Sequence, residues 1–343
     1  MNGDYELVSN MAFRIPFAQS FWQEYLSGQE ANLPRLPEVE QVTERVMRIL
    51  GGNPGRMQLQ GTNTYLVGTG KFRILIDTGQ VVHLYLPAMN TSNAEQGEAS
   101  WIEALTEQLE SNGLEISHVL LTHWHGDHTG GVPDLISYNS KLSSRVYKNT
   151  PDLGQQAIHD GQKFHVEGAT IRAVFTPGHA FDHMCFLLEE ENALFTGDNV
   201  LGHGYSVVED LGTYMTSLSR MADLNCALGY PAHGTRIEDL PAKMKEYIQH
   251  KESRMRQVLA ALERSRARMA ATGGGRRAGS LTFPELINSM YGGIPDDIEQ
   301  ALTPFLSQVL WKLAEDRKVG FEGEPSQRRW FAVGPPAATA VRL

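Results

Sequence analysis

The run His123-Trp124-His125-Gly126-Asp127-His128 follows directly on the apolar stretch Val119-Leu120-Leu121. Three imidazoles and a carboxylate within six residues are costly to bury unpaired and pointless to expose. Their economical use is a metal site on the loop that leaves a buried strand, because neutral imidazole nitrogen and carboxylate oxygen suit zinc and similar divalent ions. Alternation sends His123 and His125 to one side, and Asp127 and His128 then point to a second position. One run can therefore feed two adjacent metals. A solvated polar loop is the competing explanation. With 12 His in 343 residues, four ligand-type residues in six are hard to reach by chance.

Three later segments supply further ligands. Ala173-Val-Phe-Thr-Pro-Gly-His179 is an apolar run ending in a turn and a His. Asn192-Ala-Leu-Phe-Thr-Gly-Asp198 has the same layout and ends in Asp. Gly229-Tyr-Pro-Ala-His233-Gly ends in His. Each presents one ligand at a strand end beside a glycine, where backbone crowding excludes a larger residue. Singly, each His is better explained as a satisfied structural residue; as a series after His123 to His128, they complete a coordination set.

The order Asp77, His123/His125/Asp127/His128, His179, Asp198, His233 resembles the five sequence motifs of the metallo-β-lactamase fold superfamily. The resemblance implies a first metal on His123, His125 and His179. It implies a second metal on Asp127, His128 and His233, with Asp198 bridging both. Asp77, in Ile74-Leu-Ile-Asp-Thr-Gly79, matches the motif-one Asp, which supports such sites without ligating metal. It also implies an αββα sandwich of α/β (α+β) class. The motif set is specific for the fold and far less so for the substrate.

A chain of this length holds one large domain and a small one. Net charge is −10, which argues against general nucleic-acid or anionic-membrane binding. The two cysteines, Cys185 and Cys226, have no paired spacing, so a reducing, cytoplasmic compartment is expected. Cys185 sits in the apolar run Met184-Cys-Phe-Leu-Leu188 and is expected in the core. The acidic start, Met-Asn-Gly-Asp-Tyr-Glu, has no apolar h-region, and no transmembrane run comes after it.

The elements that must carry these residues fall into three parts. Residues 1–40 are a lead-in, with Phe21, Trp22, Tyr25 and Leu26 at helical spacing and an extended Leu33-Pro-Arg-Leu-Pro-Glu linker. Residues 41–236 are the catalytic domain. Strands are predicted at Val46–Leu50, Asn63–Val67, Phe72–Ile76, His118–Leu121, Thr170–Phe175 and His183–Leu188. Trp101, Leu105 and Leu109 share one helical face. Residues 237–343 open with a long amphipathic helix (Met244 to Leu262), then a Gly-Arg linker at Thr272–Gly279. Two short helical patterns come next, then a third opening at Thr303-Pro304 as N-cap and N1. Val319–Val333 reads as strand, turn, strand. Three short helices and a hairpin resemble a winged-helix module. Its basic pairs, Arg276/Arg277, Arg317/Lys318 and Arg328/Arg329, fit a solvated surface or a protein-docking face better than a nucleic-acid grip on so acidic a chain.

Two metals sharing a water deliver hydroxide without a Ser or Cys nucleophile, and no Gly-x-Ser-x-Gly elbow is present. Asp127 is the candidate catalytic acid/base. Tyr205 and Ser206, just after Asp198, are expected to rim the pocket and could donate to an oxyanion. Gly61-Thr-Asn-Thr-Tyr-Leu-Val-Gly-Thr-Gly70, Thr122-His-Trp-His125, Thr176-Pro-Gly-His179 and Val208–Leu218 resemble the lactamase-B-like branch with a C-terminal winged helix. Some members of that branch cut single-stranded RNA. With the segments Phe21–Pro37 and Leu50-Gly-Gly-Asn-Pro-Gly55, they are most similar to fungal lactamase-type thioesterases of non-reducing polyketide synthases. That resemblance implies hydrolysis of a polyketide thioester on an acyl carrier protein, with zinc as the default metal and manganese as the alternative. The C-terminal basic pairs are candidates for docking the acidic carrier. The competing expectation is a metal-dependent single-strand endoribonuclease.

Overall fold

In Ile74-Leu75-Ile76 the side chains alternate between two cores: Ile74 and Ile76 enter one, Leu75 the other. The same alternation separates Tyr65 and Val67 from Leu66, and Leu120 from Val119 and Leu121. A strand that is apolar on both faces has to be covered on both. The computed structural model meets that requirement with two packed sheets flanked by helices. It describes residues 33–55, 57–79, 100–271, 273, 279–294, 296–324 and 327–334. The expected helix around Phe21 to Leu26, most of the Thr272–Gly279 linker and the pair Arg276/Arg277 lie outside the described residues.

The first sheet runs, in spatial order, β1 (Val39–Gln41), β2 (Val46–Leu50), β3 (Asn63–Val67), β4 (Phe72–Ile76), β5 (Glu115–Leu120), β6 (Val146–Lys148) and β7 (Gln156–Ala157). Its pairs are antiparallel as far as β4 and parallel beyond it. The second contains β8 (Lys163–Val166), β9 (Ala169–Phe175), β10 (Met184–Leu188), β11 (Ala193–Gly197) and β12 (Leu228–Pro231), in the order β12-β11-β10-β9-β8. Only its β11–β12 pair is parallel. Between the sheets lie Val46, Tyr65, Ile74, Ile76 and Leu120 from one side and Phe164, Ile171, Met184, Phe186 and Phe195 from the other. Each such side chain stabilises the sandwich by about 1.5–3 kcal/mol.

The outer face of the first sheet is covered by α1 (Trp101–Ser111) and α3 (Val132–Tyr138), with a single turn, α2 (Gly126–Thr129), before α3. Trp101, Leu105 and Leu109 form the buried face of α1, as their spacing predicts. Glu103 reaches back to the Ser100 N–H at 2.9 Å and so starts that helix. Over the second sheet lies α4 (Leu211–Asp223), whose buried Leu211, Tyr214, Leu218 and Met221 include a sulfur contact to Cys185 at 3.9 Å. Both cysteines are free and buried.

Two compact units are resolved, with the division between Ile248 and Gln249, inside α5 (Leu240–Ala271). The second unit also contains α6 (Phe283–Tyr291), α7 (Asp296–Glu315) and a hairpin of β13 (Val319–Glu322) and β14 (Arg329–Ala332). The Thr303-Pro304 pair does not start a helix, as expected from its type, but lies within α7. Pro304 removes a helical donor, yet the Thr303 hydroxyl adds one by donating to the Glu299 carbonyl at 2.9 Å. Burial of Leu306, Val309, Leu310 and Leu313 along one stripe then holds the helix together. Beyond the linker there are thus two helices, not three, among the described residues. No helix among these residues is long and apolar enough to cross a membrane.

Candidate metal centre

All seven sequence-identified donors converge. The strand ends do the placing: β5 leads into the His123–His128 loop, β11 into Asp198 and β12 into His233. One ligand atom each from His123, His125, His179 and Asp198 lie within 4.8 Å of one another, and those of Asp127, His128 and His233 form a second such group. In the first group His123 Nε2 is 2.8 Å from His125 Nδ1, and His179 Nε2 is 3.2 Å from each. In the second, Asp127 Oδ2 is 3.4 Å from His233 Nε2 and 3.5 Å from His128 Nε2. Asp198 faces both: Oδ2 lies 3.5 Å from His179 Nε2, and Oδ1 lies 3.3 Å from His233 Nε2 and 3.6 Å from His128 Nε2.

These separations fit a divalent ion. Ligands held at about 2.0–2.1 Å in a tetrahedron stand about 3.3–3.4 Å apart. Moreover, His128 Nε2, His233 Nε2 and Asp198 Oδ1 are buried without any hydrogen-bond partner. Three such orphans facing one point would be costly unless a cation satisfied them.

The opposite ring nitrogens are anchored, which aims the free ones inward. His128 Nδ1 is 2.9 Å from Asp77 Oδ2, His179 Nδ1 is 2.7 Å from the Val207 carbonyl, His123 Nδ1 is 2.9 Å from Thr122 Oγ1, and His233 Nδ1 is 3.3 Å from the Gly61 carbonyl. Asp77 also accepts from the Thr122 N–H at 2.7 Å and the Thr122 hydroxyl at 2.9 Å. Its backbone is left-handed (φ 56°), a conformation few non-glycine residues adopt and one often held under strain near functional groups.

Electrostatics divide the two groups. Burial, reinforced by neighbouring imidazoles, holds His123 well below its usual value and His125 at about 4. Burial would also depress His128, but the carboxylates of Asp127, Asp198 and Asp77 outweigh it and hold that ring well above its usual value. His233, where burial is opposed by Asp198, is held at about 9. Asp198 would be raised by burial, yet facing His233 and His128 keep it well below the carboxylate range. A divalent ion in the second group would therefore displace protons as it binds.

Tyr205 and Ser206 are not brought into the cluster. The Tyr205 hydroxyl donates to Glu246 Oε1 at 2.8 Å. Ser206 lies on the Nδ1 side of His179, at 3.1 Å, and donates to the Val207 carbonyl at 2.9 Å, so it supports the ring from the side opposite the donor nitrogen. Sequence reasoning also missed two neighbours. His183 accepts the Asp198 N–H on Nε2 at 3.1 Å. A Cβ on Gly197 (φ 51°) would sit 2.5 Å from that nitrogen, so only glycine lets Asp198 turn into the site. The pair Asp182-His183, just beyond His179, was the available signal. Gln58 donates to Asp127 Oδ2 at 3.3 Å, and no motif marks it.

Next to the donors in sequence, Trp124 and Phe181 are exposed aromatics. Their backbone N–H groups are held by Asp182 Oδ1 at 3.3 Å and Glu209 Oε2 at 3.1 Å, respectively. The Trp124 ring packs edge-on against His125, 4.6 Å between centroids.

The family model of the metallo-beta-lactamase superfamily matches residues 58–233, which span the whole donor set. The chain is 92% identical over 333 residues to the lactamase-like protein adaB of Aspergillus niger, covering 97% of this chain and all of that one. It is 66% identical over 322 residues to the lactamase-like protein aptB of Emericella nidulans, covering 94% and 98%. The lactamase-like protein nscB of Aspergillus fumigatus is 62% identical over 327 residues, covering 94% of each. Among solved structures, a beta-lactamase domain protein from Burkholderia ambifaria superposes with a TM-score of 0.62 at 16% identity, covering 88% of this chain and 97% of that one. A metallo-beta-lactamase family protein from Thermus thermophilus gives 0.58 at 23% identity, covering 85% and 100%. These two likenesses concern the fold. By its donor set, its αββα architecture and these relatives, the chain belongs to the metallo-beta-lactamase superfamily.

Proposed function

We propose that this chain is a two-metal thioesterase that releases an aromatic polyketide acid from the acyl carrier protein of a fungal non-reducing polyketide synthase. The observation that carries the hydrolase part is the pair of donor groups joined by the two oxygens of Asp198. His123, His125 and His179 would hold one ion, Asp127, His128 and His233 the other, and Asp198 both. Zinc is the proposed ion, since the set is imidazole-rich; two carboxylates and no thiolate make manganese the alternative. Such ions, when bound, supply an activated water and a Lewis acid at the carbonyl oxygen.

The chain's own groups do the rest. Asp127, whose burial is outweighed by His128 in the metal-free chain and would be outweighed by the ion itself in the loaded one, stays a carboxylate and can take the proton of the attacking water. The water oxygen bonds to the acyl carbon, the carbon–sulfur bond breaks, and the carrier thiolate takes up a proton. A thioester suits the site because its carbonyl is activated and its thiolate leaves well, so positioning and oxyanion stabilisation suffice. Support for the carrier-bound substrate comes from the sequence resemblance and from the lactamase-like fungal relatives.

The test is release of acid from a carrier-bound polyketide thioester by the purified chain, wild type against Asp127→Asn. Metal-dependent release that is lost in the variant supports the reading. Absence of release, with single-stranded RNA cut by the same preparation, would transfer the chain to the nuclease branch.

A further inference from the structure

We propose that Gln58 is a positioning residue for the second donor group, acting through Asp127; the proposal rests on the two-metal reading above. A carboxylate can turn either oxygen toward a cation, and something must choose. Gln58 Nε2 donates to Asp127 Oδ2 at 3.3 Å, across 69 residues of sequence. That oxygen is the one facing His233 Nε2 at 3.4 Å and His128 Nε2 at 3.5 Å. The amide thus pins the carboxylate in the orientation the second group needs, and it does so without adding charge.

The segment carrying Gln58 is built for this. Gly55 N–H donates to the Leu59 carbonyl at 3.1 Å, Gln58 N–H to the Gly55 carbonyl at 3.1 Å, and Gly61 N–H to the Gln58 carbonyl at 2.9 Å. Leu59 is held left-handed (φ 55°) to make the turn. A few residues on, the Gly61 carbonyl meets His233 Nδ1, and Thr62 bridges to His233. One segment therefore orients two of the three donors of the second group. The anchors of His123 and His179 in the first group come instead from Thr122 and Val207.

Gly55 provides an independent handle. A Cβ there would lie 2.6 Å from Gln58 Oε1, so the bare glycine lets the amide fold back across it toward Asp127. Gly55→Ala should push the amide away while leaving it in the chain.

The test is calorimetric titration of the full chain, stripped by chelator, with Zn2+, comparing wild type, Gln58→Met and Gly55→Ala. Wild type is expected to take two equivalents. Gln58→Met should weaken one of them by about ten-fold and leave the other unchanged, as loss of an outer partner of a metal ligand generally does. Gly55→Ala should weaken the same equivalent with no change in melting temperature. Unchanged affinities in Gln58→Met would overturn the assignment, as would equal weakening of both equivalents alongside a lower melting temperature. Fewer than two equivalents in the wild type would overturn the two-metal reading itself, and this proposal with it.

Discussion

Asp77→Asn removes one charge and no volume, yet it should disable one imidazole of the second donor group. Asp77 Oδ1 accepts the Thr122 N–H at 2.7 Å, while Oδ2 accepts from the Thr122 hydroxyl and His128 Nδ1, both at 2.9 Å. Both side chains of the His128 pair are essentially sealed from solvent. An asparagine has one acceptor and one donor group. If its oxygen keeps the Thr122 N–H, its amide faces His128 Nδ1, which must then accept. The ring proton moves to Nε2, the very atom that faces Asp127 and Asp198. If the amide is reversed, its N–H groups meet the Thr122 N–H instead, and two donors collide. The second arrangement keeps the imidazole only at the expense of a buried donor–donor clash, so the first is expected, and with it the second group loses a usable imidazole. Loss of such an outer partner costs about 10–100-fold in metal affinity, or roughly 1.4–2.7 kcal/mol. The lost charge-assisted hydrogen bond costs fold stability about 1.5–3 kcal/mol in addition. Metal titration and thermal melting of the metal-free chain read the two effects separately. An Asn variant that binds both equivalents with wild-type affinity would refute the tautomer argument.

Four further outcomes are expected. Affinity for the second metal equivalent should rise by roughly ten-fold per pH unit and per displaced proton between pH 7 and 9, because the ion competes with a His233 proton held at about 9; a flat profile in buffered titrations would count against it. The same raised value stabilises the metal-free fold fully below about pH 6.5, and that contribution is lost as pH climbs through 9. Trp124→Ala and Phe181→Ala should raise KM for an aromatic acyl thioester several-fold while sparing a small acyl thioester, since both exposed rings belong to residues within two positions of the donors His123, His125 and His179; equal effects on both substrates would dismiss them as selectivity elements. Arg329→Glu should lower the melting temperature through a loss of about 1–2 kcal/mol, mainly from its bonds to the Ser280 carbonyl (2.6 Å) and hydroxyl (3.1 Å) rather than from its solvent-screened pair with Glu285. Arg328 is likewise engaged, over the Trp311 and Phe321 rings, so carrier docking is better probed by charge reversal at the exposed Arg317 and Lys318.

The candidate donor set was legible in the chain because ligation needs particular atom types at strand ends, and local alternation already decides which side of a strand a residue faces. Hence His123 to His128, His179, Asp198 and His233 could be read in order, while Asp77 entered only through the motif resemblance. The helix of Trp101, Leu105 and Leu109, and the strands from Val46 to Leu188, emerge from periodicity in the same way. Thr303-Pro304 misled because its type satisfies a helix start, while a hydroxyl bond and a buried stripe, both matters of packing, carried the helix through.

What only the tertiary structure decided is the set of contacts between segments remote in sequence. It placed both oxygens of Asp198 between two groups, oriented the rings of His128, His179 and His233 by partners on remote segments, and turned Tyr205 toward Glu246 and Ser206 behind His179. It also brought Gln58 to Asp127 and His183 beneath Asp198. A hydrogen bond is directional and effective over about 3 Å. Composition and spacing can nominate the groups able to make one, but which two meet is settled only when the sheets pack and bring distant loops to one edge.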